Sequence, residues 1–253
     1  MMQRLSGQTI LEVAGITVSF DGFRALDDLS FAMYDDKLTV VIGPNGAGKT
    51  TFLDVVTGRT RAQTGSVRFD GRDISGMADY RIARLGMARK FQAPSIFPDL
   101  SVFENLRVAA SPSKSLWSGL TGRIDAELRE HIERTAVTIG LQEHLPGKAG
   151  TLSHGQRQWL EIGMVLASKP RLILLDEPIA GMTLEEIAHT ERLLREIARE
   201  TPLLVIEHDM GFVRSIADRV CVFHQGHQLT EGSFELVSND PQVREIYLGE
   251  EAA

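Results

Sequence analysis

Residues 43 to 50 read GPNGAGKT and match the phosphate-binding pattern G-x-x-x-x-G-K-[S/T]. An apolar segment, LTVVI, comes before this motif, and the helix-like segment TTFLDVV overlaps its end. Glycines let such a loop wrap closely around phosphates, and the N-terminus of the following helix attracts anions. The alternative is an ordinary glycine turn before a helix. Because the flanking strand and helix are both in place, the motif predicts a phosphate-binding loop.

The residue types in this loop suit a nucleoside triphosphate. Lys49 would bridge the β- and γ-phosphates, and the Thr50 hydroxyl would bind Mg²⁺. The backbone N–H groups of the loop would point inward at the phosphates. The predicted nucleotide-binding residues are Gly43, Pro44, Asn45, Gly46, Ala47, Gly48, Lys49, Thr50 and Thr51.

Two carboxylates follow another apolar segment. In RLILLDEP, residues 171 to 178, the apolar residues end at Asp176 and Glu177. A carboxylate at the carboxyl end of a buried parallel strand lies where α/β proteins bind ligands. We therefore expect Asp176 to hold Mg²⁺, and Glu177 to orient or deprotonate an attacking water. The alternative, a solvated acidic turn, is common, but the phosphate loop upstream favours the functional interpretation.

Two further polar residues are candidates for the same site. His208 follows the apolar segment LLVI and can hydrogen-bond a γ-phosphate, although a lone histidine is more often structural. Gln92, in RKFQAP, follows a strand-like segment and can reach Mg²⁺ or its water. Neither residue is specific on its own. With Glu177 and Lys49 they form the predicted catalytic group.

The segment LSHGQ, residues 152 to 156, has the pattern of a helix N-terminus. Ser153 precedes Gln156 by three residues, which is the spacing of a capping box. Since the N-terminus of a helix attracts anions, this is a second candidate phosphate contact, and the close backbone approach is expected at Gly155. The His154 side chain is expected to point either towards a phosphate or away from it.

The elements that must position these residues follow from short apolar runs. Uninterrupted apolar runs of four or five residues are typical of strands buried on both faces of a parallel sheet. Helical patterns such as Leu184–Glu200 lie between them, which indicates an α/β fold. The N-terminal segments ILEV, ITVSF, LSFAM and GSVRF, with the turn signal FDG, predict antiparallel strands. The predicted parallel strands are Leu38–Ile42, Leu172–Leu175, Leu203–Ile206 and Val220–Phe223.

The middle of the chain is mostly helical. Ser101 stands three residues before Glu104, again a capping-box spacing, and residues 123 to 139 read as another helix. We therefore predict one domain, residues 1–253, with a core formed by 1–92 and 168–253. A helical subdomain of approximately 93–167 is inserted into that core. No added regulatory domain is expected, since the chain stops soon after residue 240.

Composition excludes some classes of function. The chain has 253 residues and a net charge of -7, which argues against a nucleic-acid partner, because binding phosphate backbones needs a basic face. The single cysteine, Cys221, lies in an apolar run and is expected to be a small buried residue. No segment approaches the roughly 20 apolar residues that cross a bilayer. We expect a cytosolic protein, for which any membrane role comes through a partner.

These elements together resemble the ATP-binding subunit of ABC transporters. Their order is the phosphate loop, Gln92, LSHGQ, LLLDEP and His208, and the resemblance extends over nearly the whole chain. It implies the fold of a P-loop NTPase, the ABC nucleotide-binding domain. It also implies ATP hydrolysis, with ATP and Mg²⁺ as cofactors.

The resemblance implies roles for further residues. Phe20, in VSFDGF, stands where the family places an aromatic ring on adenine, and Phe23 is the alternative. Ser153, Gly155 and Gln156 would contact ATP bound to the other subunit. The phosphate loop and LSHGQ of one chain do not complete the same site in this family. Two ATP-binding subunits, identical or different, must therefore pair head to tail.

The resemblance implies membrane partners as well. The Gln92 loop would contact an integral membrane permease and sense the γ-phosphate, and a periplasmic or extracellular solute-binding protein would act indirectly. The chain would then lie at the cytoplasmic face of a bacterial membrane. One departure concerns Thr183, which stands where the family often has an aspartate, and this puts in doubt the usual contact of that aspartate across the interface.

A closer resemblance is to the branched-chain amino acid importer group. It is carried by FQAPSIFPDLSVFENL, IEHDMGFV and the C-terminal REIYLGEEAA. Within that group, LSHGQRQWLEIGMVLA and DEPIAGMT are most similar to the urea importer subunit. We therefore expect uptake of urea or a short-chain amide. The alternatives are a branched-chain amino acid importer ATPase and a soluble ABC ATPase that serves assembly or scaffolding.

Overall fold

The computed structural model describes residues 7–35, 37–90, 96–111 and 125–250. They form an antiparallel sheet, a mostly parallel sheet and helices, which confirms the predicted α/β fold. The strands are β1 (Thr9–Phe20), β2 (Phe23–Tyr34), β3 (Leu38–Ile42), β4 (Thr64–Phe69), β5 (Arg72–Asp73), β6 (Met87–Lys90), β7 (Leu172–Asp176), β8 (Leu203–Ile206), β9 (Arg219–His224) and β10 (His227–Gly232). The α-helices are α1 (Lys49–Val56), α2 (Asp79–Arg84), α3 (Val102–Ala110), α4 (Ala126–Thr138), α5 (His154–Ala167), α6 (Leu184–Ile197), α7 (Met210–Ile216), α8 (Phe234–Ser238) and α9 (Pro241–Glu250).

The N-terminal strands form an antiparallel sheet, as predicted. Its strand order is β2-β1-β4-β5. The two FDG segments are its tight turns. Asp21 and Gly22 have φ angles of 49° and 89°, and Asp70 and Gly71 have 50° and 73°. Two consecutive positive φ angles match the right-handed twist of a hairpin, which is why Asp-Gly recurs at both turns. The segments ILEV and ITVSF are one continuous strand, β1, rather than two.

The second sheet has the order β10-β9-β3-β8-β7-β6. Its five strands from β9 to β6 run parallel, and β10 pairs antiparallel with β9. Every residue of β3, β7 and β8 is buried. Burial on both faces explains why these strands are uninterrupted apolar runs in the sequence.

Between β6 and β7 the described chain is mainly helical. Both predicted capping boxes are present, Ser101 with Glu104 at α3 and Ser153 with Gln156 at α5. Helix α4 begins at Ala126 because the Asp125 side chain accepts the Leu128 N–H and caps it. Residues 123 and 124 of the predicted helix lie outside the described residues.

The helical segment and the parallel sheet share one apolar core. Leu106, Ile132 and Ile162 of three helices belong to the same buried cluster as Val40 of β3. The helices approach closely at Gly163, where a Cβ atom would lie 2.4 Å from Cδ1 of Ile139. The division of the chain near residues 93 and 167 stays a prediction, because the two parts are packed together.

Composition led to expectations about the single cysteine and about membrane-spanning segments. Cys221 is fully buried, as expected, and burial raises the pKa of its thiol to about 12. Within the described ranges, every helix is too short or too polar to cross a bilayer.

A tryptophan joins α5 to α6. The Trp159 indole N–H donates a hydrogen bond to the Thr190 hydroxyl at 3.0 Å, and its ring lies 4.1 Å from the His189 ring, centroid to centroid. Burial lowers the pKa of His189 below its ordinary value of 6.5. The folded protein therefore favours neutral His189 at the junction between these helices.

This junction predicts a pH dependence of stability. The pKa of His189 is lower in the folded chain than in the unfolded chain. Neutral His189 therefore contributes fully to the free energy of unfolding above about pH 6.5, and this contribution is lost as the pH falls through the pKa of His189 in the folded chain. His189→Gln should therefore make the thermal midpoint less sensitive to acidification between pH 7 and about pH 5.5. Thermal unfolding followed by circular dichroism measures this. His227→Gln, at an exposed histidine, is the control. A mutant as acid-sensitive as the wild type would contradict the assignment.

Candidate nucleotide site

The phosphate loop connects β3 to α1, and its glycines are required by close backbone contacts. A Cβ atom on Gly43 would lie 2.2 Å from the Phe223 carbonyl oxygen. A Cβ atom on Gly48 would lie 2.6 Å from the Ala25 carbonyl oxygen, and Gly48 also has φ 98°. Larger residues would push the loop away from β9 and β2. The loop therefore keeps a compact path that leaves room for phosphates.

Lys49 begins α1 and bends back over the loop. Its Nζ donates hydrogen bonds to the carbonyl oxygens of Gly43 at 2.6 Å and Pro44 at 2.8 Å. Gly48, the N-cap residue, provides no side-chain cap, so N–H groups of the first turn are available to an anion. A cation and a helix N-terminus at the same point fit a triphosphate.

A cavity of about 300 Å³ lies over this loop. It brings the loop together with the two carboxylates at the end of β7 and with both candidate adenine-stacking rings. Phe20 and Phe23 are 50% and 66% exposed, which leaves their faces open to a base. The lining residues are Phe20, Phe23, Ala25, Asn45, Gly46, Ala47, Gly48, Lys49, Thr50, Thr51, Asp176, Glu177 and Ile206.

Asp176, the predicted Mg²⁺ ligand, is buried and paired. Its side chain is 2% exposed, and Oδ2 accepts a hydrogen bond from Arg89 Nη2 at 3.1 Å. Arg89 Nη1 also contacts Asp54 Oδ1 of α1 at 2.5 Å. Burial raises the pKa of Asp176, and the Arg89 guanidinium opposes that rise. One guanidinium thus fixes carboxylates on two elements of the site.

Glu177, the predicted base, has an unusual backbone. Its φ is 46°, a left-handed conformation that is rare outside glycine, and its N–H donates to the Ile206 carbonyl at 3.0 Å. Its side chain is 39% exposed, and Oε1 lies 3.6 Å from Nδ1 of His208. The structure therefore places two of the four predicted catalytic residues, Glu177 and His208, side by side at the strand ends.

Glu207 also lies at this edge, and sequence reasoning missed it. Its carboxylate is buried and accepts the N–H groups of His208 at 2.9 Å and Ile179 at 3.4 Å. Burial raises the pKa of Glu207, and these hydrogen bonds oppose the rise. It holds the turns that carry His208 and the residues after Glu177. The sequence contained a signal for Glu207, namely an acidic residue directly after the apolar segment LLVI. The same signal identified Asp176 at the end of LILL.

The LSHGQ residues lie at the start of α5. The Ser153 Oγ accepts the Gln156 N–H at 3.2 Å, and Gln156 Oε1 accepts the Ser153 N–H at 2.9 Å. Ser153, Gly155 and Gln156 are all within the described chain, yet none lines the cavity over the phosphate loop. His154 points to the loop that follows Glu177, with Nε2 at 3.1 Å from the Ala180 carbonyl oxygen.

A magnesium ion at this site would have few protein ligands. Within the described ranges, no group of three or more His, Cys, Asp or Glu side chains is arranged to hold a metal. Thr50 and Asp176 line the same cavity and offer oxygen ligands, and phosphates and water can complete an octahedral shell. The donor set fits Mg²⁺ bound together with a nucleotide. Gln92 lies outside the described residues, so its predicted roles stay predictions.

Comparisons with known proteins agree with this geometry. The family model described as "ABC transporter" matches residues 26–180, more than half of the chain. The chain belongs to the ABC transporter family. As a member it is an ATPase, and its cofactors are ATP and Mg²⁺. A second family model, "Branched-chain amino acid ATP-binding cassette transporter", matches residues 228–253.

Relatives of this ABC ATPase cover almost its full length. The high-affinity branched-chain amino acid transport ATP-binding protein BraF of Pseudomonas aeruginosa is 36% identical over 95% of this chain and 98% of its own. LivG of Escherichia coli K12, which has the same description, is 35% identical over 96% of this chain and 99% of its own. The structure of an ABC transporter cassette in its ADP conformation has a TM-score of 0.84 at 32% identity, covering 96% of this chain and 99% of that chain.

The names of these relatives help to choose between urea and branched-chain amino acids as the expected solute. Their names refer to branched-chain amino acids, so they support the alternative interpretation better than urea. The short phrases that favoured urea, LSHGQRQWLEIGMVLA and DEPIAGMT, lie next to each other in the structure, where His154 Nε2 is 3.1 Å from the Ala180 carbonyl oxygen. Urea uptake is therefore not supported by the comparisons.

The buried guanidinium gives a testable prediction for the ABC cassette. Arg89→Met leaves Asp176 and Asp54 without their shared partner, and breaking a buried ion pair in this way costs roughly 3 kcal/mol. We expect the free energy of unfolding to fall by about that amount in urea titrations, with weaker binding of Mg²⁺-ATP. Arg84→Met, at an exposed arginine of α2, should leave both unchanged. Equal stability of the two variants would contradict this role.

Proposed function

We propose that this chain is the ATP-hydrolysing subunit of a bacterial ABC importer for branched-chain amino acids. The cavity that joins the phosphate loop to Asp176 and Glu177 supports the hydrolytic role. The full-length similarity to ATP-binding proteins named for branched-chain amino acid transport supports the solute class. A family model for that group matches residues 228–253 and adds to this support.

The hydrolytic step follows from the positions of the side chains. The loop N–H groups and Lys49 would hold the β- and γ-phosphates, while Thr50 and Asp176 would hold the magnesium ion. A bound Mg²⁺ neutralises charge on the phosphates. Glu177 lines the same cavity and would orient or deprotonate the attacking water. The His208 Nδ1 lies 3.6 Å from Glu177 Oε1, and His208 would hydrogen-bond the γ-phosphate.

We infer that the catalytic site is completed by a second ATP-binding subunit. Ser153, Gly155 and Gln156 form a helix N-terminus suited to an anion, but they do not line this chain's own nucleotide cavity. A head-to-tail pair of subunits would bring each of these termini to the other subunit's nucleotide. Two ATP molecules would then lie at the interface.

The permease is proposed to dock beside the Gln92 segment. A cleft of about 420 Å³ lies beside α5, and Lys90 and Ile96, the described residues nearest to Gln92 in the sequence, both line it. In this cleft, Lys90 Nζ donates to Gln158 Oε1 at 2.7 Å and lies 3.3 Å from Glu161 Oε2. These bonds connect the end of β6 to α5, so a permease segment seated here would contact both. The subunit would work at the cytoplasmic face of the membrane, with a solute-binding protein on the far side.

Glu177→Gln tests the hydrolytic role. The amide keeps the shape of the side chain but cannot take a proton from water, so we expect ATP binding to persist and turnover to fall by about 10²-fold or more. Steady-state phosphate release and equilibrium binding of ATP measure the two effects. Glu196→Gln, at an exposed carboxylate of α6, is the matched control. Normal turnover in the Glu177 variant would contradict the assignment.

Uptake by the reconstituted transporter tests the solute. The chain is assembled in proteoliposomes with its permease and solute-binding protein, and ATP-dependent uptake of labelled leucine, isoleucine, valine and urea is compared. We expect uptake of the branched-chain amino acids and none of urea. Uptake of urea alone would overturn the proposed solute. If the chain does not co-purify with any multi-span membrane protein, the assembly or scaffolding alternative is favoured.

A further inference from the structure

One carboxylate lies between the N-termini of two helices. Helix α5 is capped by Ser153 and helix α6 by Thr183. Glu186 Oε2 accepts the Thr183 N–H at 2.9 Å and the Thr183 hydroxyl at 3.2 Å. Its other oxygen, Oε1, accepts the Ser153 hydroxyl at 3.2 Å. The capping box of α6 therefore reaches across to the LSHGQ segment.

The same carboxylate contacts the first turn of α5. A Cβ atom on Gly155 would lie 2.4 Å from both Cδ and Oε1 of Glu186, so only glycine leaves room for it. Hydrogen bonds, chiefly from the Thr183 N–H, lower the pKa of Glu186, and the nearby Gly155 N–H makes a smaller contribution to that lowering. A negative charge thus occupies the point where α5 presents its N-terminal dipole.

Ser153 and Gly155 are also the residues assigned above to the other subunit's nucleotide. A hydroxyl has a single proton to donate, and the Gly155 N–H has one as well. The Ser153 hydroxyl, which donates to the Glu186 carboxylate, therefore cannot donate to a γ-phosphate at the same time. Two anions at one helix terminus would also repel each other.

We propose that the Glu186 carboxylate occupies the γ-phosphate position at the start of α5 until the partner's nucleotide displaces it, and so opposes closure of the ATP interface. This inference rests on the proposed function, because it takes Ser153 and Gly155 as nucleotide contacts. In the isolated chain, Glu186 keeps the Ser153 hydroxyl and the Gly155 N–H directed at an anion. On pairing, it must leave these donors, and its charge opposes closure of the interface.

The test uses full-length chains in the Glu177→Gln background, which holds ATP without turnover. The ATP concentration that gives half-maximal dimer in the presence of Mg²⁺ is measured by analytical ultracentrifugation. Glu186→Gln removes the charge and keeps the size, so it should lower this concentration about fivefold, as expected for loss of one partly exposed charge interaction. The difference should shrink at about 0.5 M salt.

Glu185→Gln is the matched control, since Glu185 is the preceding exposed residue in the same helical turn. It should leave the half-maximal ATP concentration unchanged. Thermal unfolding of each variant checks the fold, and Glu186→Ala provides a second variant with the charge removed. The proposal is overturned if both Glu186 variants dimerise at the same or higher ATP concentration than the Glu185 control. If the Glu177→Gln chain forms no ATP-dependent dimer, either with itself or with a second, different ATP-binding subunit, the head-to-tail pairing in the proposed function fails, and this inference fails with it.

Discussion

Ile206 pairs with Val41 on one side and with Asp176 on the other, so three parallel strands end at the same level. This shared register is the constraint on which the site depends. It places the phosphate loop after β3, the carboxylates after β7 and the Glu207–His208 pair after β8 along one edge of the sheet. Because side chains alternate along a strand, a shift of one residue in either pairing would move Asp176 to the other face.

The same edge carries an unusual number of buried charges. Asp176 and Glu207 are 4% and 1% exposed, and burial raises the pKa of each. A buried carboxylate is tolerated only when it is paired or well hydrogen-bonded. Arg89 supplies the pairing for Asp176, and backbone N–H groups supply the hydrogen bonds for Glu207. These partners fix the carboxylates in one orientation, which a site that binds Mg²⁺ and a phosphate requires.

Sequence reasoning predicted the elements whose signal is local. The parallel strands followed from short apolar runs, the hairpin turns from Asp-Gly, and the helix starts from capping-box spacing. What it missed depends on contacts between distant segments. The partners of Arg89 lie 35 and 87 residues away, and Glu186 is 33 residues from Ser153. Nothing in the spacing of these residues indicates a contact, because register and helix packing bring them together.

The loop from Glu177 to Thr183 connects the nucleotide cavity to the LSHGQ segment at the start of α5 through such long-range contacts. It begins in the strained left-handed backbone of Glu177 and ends at the cap of α6. Between those points, Glu207 accepts the Ile179 N–H, and Gln158 of α5 donates to the Ala180 carbonyl at 3.1 Å. The loop is therefore held by hydrogen bonds from both the strand edge and the LSHGQ helix. Hydrogen bonds are directional, so a movement of α5 that keeps the Ala180 contact must also move the backbone next to Glu177. This gives a physical route by which an event at the N-terminus of α5 would change the geometry of Glu177, the predicted base.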